Sequence, residues 1–318
     1  SGTVKRGQAV RIYTGAPMPR GSDCVIIQEN TREDGDHVVL SDTVRKGQFV
    51  RARGFDFRRG EKLIDASRVL SARDIGVAAS ANCASLTVRR KPAIALIGTG
   101  DELVLPGIKP KADQIVSSNN AALAAFIERF GATPLDLGIV PDKVSAIKQA
   151  IRKAEKADVL VTIGGASVGK HDLVQQALKE SKIRLSFWRI AMRPGKPLMF
   201  ARRGRQRIIG LPGNPVSALV CARVFIKPLI DALLGQPEEQ PLLKARLTAP
   251  LAANDQRQDY LRASLARDRS GTLKVTPFAR QDSSMQRIMA TADALIIRPP
   301  FARAVSRGTF VDVLPIDF

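Results

Sequence analysis

The sequence contains few of the residues that build disulfide frameworks, histidine metal sites or base-stacking surfaces. Its 318 residues include 3 cysteines, 2 histidines, 2 tyrosines and 1 tryptophan. The cysteines are far apart and odd in number, so neither a disulfide framework nor a metal-ligand spacing is present, and a reducing cytoplasm is the expected location. With two histidines, a histidine-built metal site is disfavoured.

Long apolar runs and acidic residues are also scarce. No run approaches the roughly 18 residues that a membrane helix needs, and the first residues lack a signal-peptide pattern. Lys and Arg number 50 against 30 Asp and Glu, which gives a net charge of +20. Basic residues occur in scattered short pairs such as Arg58-Arg59, and stacking aromatics are few. Surface charge and attraction of an anionic small molecule are therefore favoured over nucleic-acid binding.

From residue 91 to residue 236, short apolar runs alternate with helical patterns. This rhythm predicts an α/β domain whose sheet is mostly parallel and covered on both faces. Asn119 or Asn120 is expected to cap the first helix of this domain. We predict strands at 93–97, 135–140, 158–163, 185–191, 198–201 and 207–211, and helices at 121–130, 144–156, 172–179 and 215–234.

Segments of different texture flank this domain. Residues 1–52 hold apolar runs such as Cys24–Gln28 and Val38–Leu40 between turns, which predicts an N-terminal β domain. Residues 53–90 form a linking region with a helix at 71–79. Residues 237–318 again show short alternating runs, which predicts a C-terminal β domain, either a sandwich or a barrel.

The stretch from Leu160 to Asp172 has the form of an anion-binding loop. A β-branched strand runs into Gly164-Gly165, Ser167 extends the loop, and Asp172 stands where the next helix begins. Glycines let backbone N–H groups approach an anion, and a helix N-terminus favours negative charge. The stretch lacks the Gly-Lys-[Ser/Thr] ending of a P-loop and the spacing of a dinucleotide fingerprint. A tight βα connection without ligand remains the alternative.

Other loops of the predicted domain carry charged residues and glycines to the same sheet edge. Ligands of open α/β sheets bind at the carboxyl ends of the strands. Carboxylates beside a phosphate site call for a counter-charge such as Mg²⁺, and arginine or lysine supplies fixed positive charge for an oxyanion. Asp142 has the alternative role of a helix cap. The loops concerned contain Asp101-Glu102, Asp142, Arg193, Lys196 and Gly213-Asn214.

Five motifs resemble, in order and spacing, those of the molybdopterin molybdenumtransferase family, which includes the E domain of gephyrin. The resemblance covers essentially the whole chain and implies a central molybdopterin-binding-type domain between a partial N-terminal β domain, a remnant of a linking domain and a C-terminal β domain. The motifs are Thr14-Gly-Ala-Pro17, Gly98-Thr-Gly-Asp-Glu-Leu103, Gly164-Gly-Ala-Ser-Val-Gly169, Pro194-Gly-Lys-Pro197 and Gly210-Leu-Pro-Gly-Asn-Pro-Val-Ser217.

The resemblance also implies an activity. Members insert molybdate into adenylylated molybdopterin with release of AMP, use Mg²⁺ and form cytoplasmic homodimers. Contact with the adenylyltransferase of the same pathway is a further expectation from the resemblance. A related molybdopterin adenylyltransferase and a gephyrin-like scaffold without turnover are the alternatives.

By position, Glu102, Asp142 and Asp172 match the family's functional acids, and Glu102 and Asp172 are the expected Mg²⁺ ligands. The resemblance implies that Thr14 approaches the site across the dimer, and that the site lies between the central and C-terminal domains. The matched substrate-binding positions are Thr14, Gly164, Gly165, Ser167, Arg193, Lys196, Pro212, Gly213, Asn214, Pro215, Ser217, Arg262 and Ser283.

Four features depart from the family pattern. The family's upstream segment with its Ser-Ala-Met-Asp-Gly-Tyr-Ala motif is not in this sequence, which is expected to affect activity and dimer packing. Arg193 stands where lysine is usual, Lys170 where an acid is common, and Asp282 where glycine is usual. An arginine keeps the charge of a lysine but favours a planar, bidentate contact.

Overall fold

The computed structural model describes residues 2–165, 173–237, 242–316 and 318. The chain divides into two compact units. Unit 1 comprises Ser1–Asp65 and Ala72–Asn82, and unit 2 comprises Ala66–Ser71 and Cys83–Phe318.

Unit 1 contains a β-hairpin and one helix. The hairpin pairs β1 (Thr31–Asp34) with β2 (His37–Leu40), and the helix α1 spans Ala72–Ser80. The strand predicted at 38–40 and the helix predicted at 71–79 are confirmed. The strand predicted at 24–28 is wrong, because its backbone lacks the repeated pairing of a ladder: Val25 donates to the Gln48 carbonyl, and residues 28–30 form a 3₁₀ turn.

Unit 2 begins with an α/β region that confirms the predicted fold class. Its six-stranded sheet has the strand order β6-β3-β7-β11-β10-β8, in which β6, β3, β7 and β11 run parallel. A parallel two-stranded pair, β4 and β5, accompanies the sheet. The bounds are β3 Ala93–Thr99, β4 Leu103–Val104, β5 Ile115–Val116, α2 Asn119–Arg129, β6 Thr133–Val140, α3 Val144–Lys153, β7 Val159–Ile163, α4 Leu173–Glu180, β8 Leu185–Trp188, β9 Met192–Arg193, β10 Met199–Arg203, β11 Gln206–Leu211, α5 Pro215–Cys221 and α6 Lys227–Leu234.

Apolar side chains cover both faces of this sheet. Alternate residues of β3 point to opposite faces, so Ile94 packs with α2, α5 and α6, and Ile97 packs with α3 and α4. Both faces of β3 and β7 are buried, which explains why these strands read as continuous apolar runs, whereas the edge strand β6 is largely exposed or half-buried. The strand predicted at 185–191 is shorter, because β8 ends at Trp188 and β9 leaves to join another sheet.

The helix predicted at 215–234 is continuous but not uniform. A π-helical segment, Ala222–Ile226, separates α5 from α6. Pro228 lies in the first turn of α6. A proline has no N–H and its ring clashes with the carbonyl four residues earlier, and a local widening of the helix accommodates both effects.

The C-terminal part of unit 2 is a β-barrel, which decides between the two predicted forms. Strands β14, β12, β16, β15 and β13 pair in that order, and β13 also pairs with β14, so the ring closes. The long β13 serves two neighbours: its first half pairs with β15 and its second half with β14. The bounds are β12 Leu243–Leu247, β13 Gln258–Arg267, β14 Leu273–Pro277, α7 Gln286–Ala290, β15 Ala294–Arg298 and β16 Phe310–Pro315.

The barrel shares its core with one face of the α/β sheet. Tyr260, Leu295 and Leu314 of the barrel belong to the same buried apolar cluster as α2 and α5. In addition, β9 follows β8 and precedes β10 along the chain, and both of these strands belong to the α/β sheet. However, β9 itself pairs with β13 of the barrel. The two parts of unit 2 are therefore held in one arrangement. Within the described ranges, no helix has the length and apolar character to cross a membrane.

Candidate functional site

The glycine pair at the end of β7 is packed against the end of β3. Gly164 and Gly165 have φ angles of +86° and +64°, a region that side chains other than glycine rarely adopt. A Cβ on Gly164 would lie 2.7 Å from the Thr99 carbonyl oxygen, and one on Gly165 would lie 2.6 Å from a methyl carbon of Val174. Glycine is therefore required at both positions. The Gly164 N–H donates to the Leu211 carbonyl, so this group is used by the fold.

The loop after β11 lies beside this glycine pair. A Cβ on Gly213 would lie 3.6 Å from the Gly164 Cα, so the two loops are in contact. Asn119 at the start of α2 donates to the Gly213 carbonyl at 2.7 Å. Pro212 and Pro215 restrict the backbone on either side. The prediction that Asn119 or Asn120 caps α2 is wrong: the cap is Ser118, and Asn120 donates to Asp136 at 2.7 Å.

A loop of the barrel closes over the start of α5. The Asn214 amide donates to the Ser283 hydroxyl at 2.7 Å, and the Ser283 carbonyl accepts from the Val216 N–H at 3.1 Å. Gln286, the first residue of α7, donates to the Ser118 hydroxyl. Ser283 is thus brought next to the loop at 212–215, although 68 residues separate it from Pro215.

Three acidic residues lie near the ends of β3 and β6 and interact electrostatically. Asp101 accepts a hydrogen bond from the Asp142 backbone N–H at 3.1 Å. Partial burial raises the pKa of Asp142, and the negative charges of Asp101 and Glu102 raise it further. The N-cap of α3 is Lys143, which makes no side-chain capping bond. Asp142 therefore does not cap this helix. Glu102 folds back over Gly100, where a Cβ would lie 2.5 Å from Oε2.

The carboxylates fit a magnesium ion better than a fully protein-enclosed metal. Within 2–165, 173–237, 242–316 and 318, no three His, Cys, Asp or Glu side chains are placed to enclose a metal ion. Mg²⁺ keeps several waters and is held by one or two carboxylates together with substrate phosphates. The mutual repulsion of Asp101, Glu102 and Asp142 is the electrostatic condition that a divalent cation relieves.

The turn at 193–197 carries two predicted cations with different surroundings. Arg193 donates from Nε to Asp259 at 2.9 Å and contacts Asp255 at 3.3 Å. These contacts raise the pKa of Arg193, chiefly through the hydrogen bond to Asp259. The exposed Lys196 has no carboxylate partner in the part of the chain that the structure describes.

Arg262 is a buried arginine in the wall of the barrel. Only 2% of the residue is exposed, and Nε donates to the Gln281 side chain at 3.3 Å. Loss of hydration lowers the pKa of Arg262, and the nearby Asp282 opposes this effect. Arg262 and Gln281 therefore hold the barrel loop that presents Ser283.

The remaining predicted residues are placed as follows. Ser217 is buried in α5, and Thr14 is an exposed turn residue of unit 1. Ser167 and Asp172 lie outside the described residues. Unit 1 contains an open cavity of about 1290 Å³, and none of the predicted site residues lines it.

Several residues that support these loops were not singled out from the sequence. Gln281, Gln286 and Asp259 each bond to a segment far away in the chain. Asp259 follows Gln258 in a strand of mixed polar and apolar residues, so nothing in the sequence distinguishes it. The others are ordinary polar residues, and only their three-dimensional neighbours distinguish them.

Three family profiles match the chain in sequence. The profile described as the MoeA N-terminal region (domain I and II) matches residues 1–82. The profile described as a probable molybdopterin binding domain matches residues 95–232. The profile described as the MoeA C-terminal region (domain IV) matches residues 244–316.

Individual relatives agree with these profiles. A molybdopterin molybdenumtransferase of Nostoc sp. is 38% identical over 269 residues, which are 83% of this chain and 62% of the relative. That of Haemophilus influenzae is 32% identical over 314 residues, which are 97% of this chain and 77% of the relative. The crystal structure of a molybdopterin biosynthesis MoeA protein from Pyrococcus horikosii has a TM-score of 0.83 at 27% identity, covering 98% of this chain and 77% of that one.

Proposed function

The chain belongs to the molybdopterin molybdenumtransferase (MoeA) family, and we propose that it is a transferase of molybdenum cofactor biosynthesis. More specifically, we propose that it inserts molybdate into adenylylated molybdopterin and releases AMP. The chain spans 62% of the length of the Nostoc relative, so this activity belongs to the proposal.

The convergence of four segments in unit 2 supports this function. The Gly164-Gly165 loop touches the 212–215 loop, and Ser283 of the barrel bonds to Asn214. Asp142 and Glu102 lie at the ends of the neighbouring parallel strands, which is where α/β sheets bind ligands. A site with glycine backbone, carboxylates and a lysine that has no carboxylate partner among the described residues suits a phosphorylated, metal-associated substrate.

Among the described residues, we expect Glu102 and Asp142 to hold Mg²⁺. Asp172, which lies outside the described residues, is a further expected ligand on the basis of the sequence. The ion, when bound, would neutralise phosphate charge during cleavage of the phosphoanhydride bond. The protein's own part is to place the groups. The glycine pair lets the turn after β7 pack closely against Thr99 and Val174 at the sheet edge, and Lys196 supplies fixed positive charge for the oxyanion.

The test is AMP release and molybdate incorporation from purified adenylylated molybdopterin. We expect Glu102→Gln and Asp142→Asn to slow turnover at least tenfold, because each removes one negative charge from the metal site. Glu128→Gln is the matched control, since Glu128 is an exposed acid on α2. Equal turnover in all three folded variants would remove the carboxylates from the mechanism.

The same assay separates the alternatives. A molybdopterin adenylyltransferase consumes ATP, and a scaffold without turnover releases no AMP. The profiles on both sides of the central region favour the molybdate-inserting enzyme, because they describe MoeA regions. A cytoplasmic homodimer, with Thr14 reaching the site of the partner and contact with the pathway's adenylyltransferase, completes the proposal.

A further inference from the structure

Strand β6 contains one extra residue relative to its parallel neighbour β3. The residue numbers of paired positions differ by 40 up to the pair Leu96 and Asp136, and by 41 from the pair Gly98 and Ile139 onward. Two residues of β6 therefore stand against one residue of β3, which is a β-bulge. Bulges are uncommon in parallel pairs, and next to active sites they re-aim side chains.

The bulge decides which residue after β6 lies beside Asp101. Asp101 and Asp142 also differ by 41, and the Asp142 N–H donates to the Asp101 carboxylate at 3.1 Å. At a difference of 40, the residue beside Asp101 would be Pro141, which has no N–H to donate. A one-residue shift also exchanges the two faces of a strand. The extra residue of β6 thus brings Asp142 to the acids that follow β3.

A buried amide of α2 holds the bulge. Gly138 has a φ of +79°, and its N–H donates to Asp136 Oδ1 at 2.9 Å. Asn120, in the first turn of α2, donates from Nδ2 to the same oxygen at 2.7 Å. Asn120 is only 7% exposed. The orientation of its amide is fixed, because the ionised carboxylate of Asp136 only accepts hydrogen bonds and must face the NH₂ group.

The first turn of α2 also contacts β3 and the 212–215 loop. A Cβ on Gly98 would lie 2.8 Å from Asn120 Oδ1, so the glycine in β3 makes room for the amide. The neighbouring Asn119 donates to the Gly213 carbonyl at 2.7 Å. Because Asn120 is buried and its amide faces Asp136, it acts on the candidate site through the position of β6.

We propose that Asn120 is a positioning residue: through Asp136 it holds the bulge of β6, and the bulge sets Asp142 beside Asp101 and Glu102. The inference rests on the proposed function for the role of Asp142 in holding Mg²⁺. It gives Asn120, which the sequence predicts as a possible helix cap, a different task.

The experiment titrates MgCl₂ into the full 318-residue chain by calorimetry and follows amide hydrogen exchange at Asp142 by NMR. Asn120→Asp removes the donor and sets two carboxylates against each other. We expect it to raise the Kd for Mg²⁺ about ten- to a hundredfold, the usual loss when a group that orients a metal ligand is changed. Exchange at Asp142 should become faster, because its N–H loses a fixed partner. Simple attraction predicts the opposite sign for Mg²⁺, since an added carboxylate draws a cation more strongly.

A variant that exchanges the two side chains provides the rescue. Asn120→Asp combined with Asp136→Asn keeps the net charge of the unaltered chain. Its new amide can donate to the new carboxylate, while the amide oxygen still accepts from the Gly138 N–H. We expect this double variant to bind Mg²⁺ within about threefold of the unaltered chain and to regain slow exchange at Asp142, because the two changes are coupled.

Two further variants separate positioning from loss of stability. Asn120→Ala removes the donor without adding charge, and it carries the test if Asn120→Asp does not fold. Asp158→Asn is the matched control, because Asp158 precedes β7 at the opposite edge of the same sheet and pairs with Arg90. We expect Asp158→Asn to lose stability but to keep the Mg²⁺ affinity and the exchange rate at Asp142.

Unchanged Mg²⁺ affinity and unchanged exchange at Asp142 in both Asn120 variants would overturn the inference. A double variant as impaired as Asn120→Asp would also overturn it. If the unaltered chain binds no Mg²⁺, the metal role of Asp142 in the proposed function is rejected. The exchange rates at Asp142 then decide by themselves whether Asn120 sets the register of β6.

Discussion

Replacement of Gly164 by alanine tests the packing on which the glycine loop depends. Gly164 has a φ of +86°, and an alanine there is strained by about 1–2 kcal/mol in the left-handed region. Its Cβ would also lie 2.7 Å from the Thr99 carbonyl oxygen, a backbone atom that cannot rotate away. The ends of β3 and β7 must then separate. We expect Gly164→Ala to lower the free energy of unfolding by about 2–4 kcal/mol.

A second glycine isolates the effect of the close contact. Gly138 lies in β6 of the same sheet and has a φ of +79°, but a Cβ there would have no neighbour within 4 Å. Gly138→Ala therefore adds the left-handed strain without the collision, and we expect a loss of about 1–2 kcal/mol. The difference between the two variants measures the repulsion between the new methyl group and Thr99.

Denaturant unfolding followed by tryptophan fluorescence provides the measurement. Trp188 is the single tryptophan of the chain and lies in β8 of this sheet, so its signal reports the α/β region. Urea midpoints at constant m-value give the two stability changes. If Gly164→Ala is no more destabilising than Gly138→Ala, the proposed close approach of the β3 and β7 ends is refuted.

Three further predictions concern titrating groups. Asp101→Asn should lower the pKa of Asp142 in a carboxyl NMR titration, because one of the charges that raise it is removed; an unchanged titration contradicts the carboxylate cluster. Arg90 lowers the pKa of Asp158, so Asp158→Asn should cost roughly 1 kcal/mol at neutral pH. That difference should disappear as the pH falls through the lowered pKa of Asp158, since the contribution of a depressed acid is lost on protonation, and a pH-independent difference would count against the ion pair. Burial raises the pKa of Cys221 to about 12, so a thiol reagent should leave Cys221 unmodified until the protein unfolds; rapid modification in the native state would show that α5 is not packed as described.

The arrangement of strands and glycine loops was predictable because it depends on local patterns. The central strands β3 and β7 are buried on both faces, so each had to be a short, continuous apolar run. The turn from β7 requires positive φ values with almost no space for a side chain, which makes Gly164-Gly165 visible in the sequence. For the C-terminal region, the sequence predicts a β domain but not its closure into a barrel. Alternation along a strand does not show whether the sheet closes.

The distribution of charge depended on the fold. Basic residues that are scattered along the chain gather at the amino-terminal edge of the sheet, opposite the candidate site. The helices α3 and α4 both end at that edge, and helix C-termini favour cations. The residues concerned include Arg90, Lys91, Arg152, Lys153, Lys156, Lys179, Lys182, Arg184, Arg202 and Arg205.

The sequence by itself determined the α/β class, the glycine turns and the acids that follow the strands, because backbone conformation and burial act on neighbouring residues. Only the tertiary structure decided which of these groups remain available to a ligand. The contrast is clearest at the 193–197 turn, where Arg193 and Lys196 are equivalent cations in the sequence. Asp259 lies 66 residues beyond Arg193, and its bidentate contact neutralises that arginine, whereas Lys196 keeps its charge.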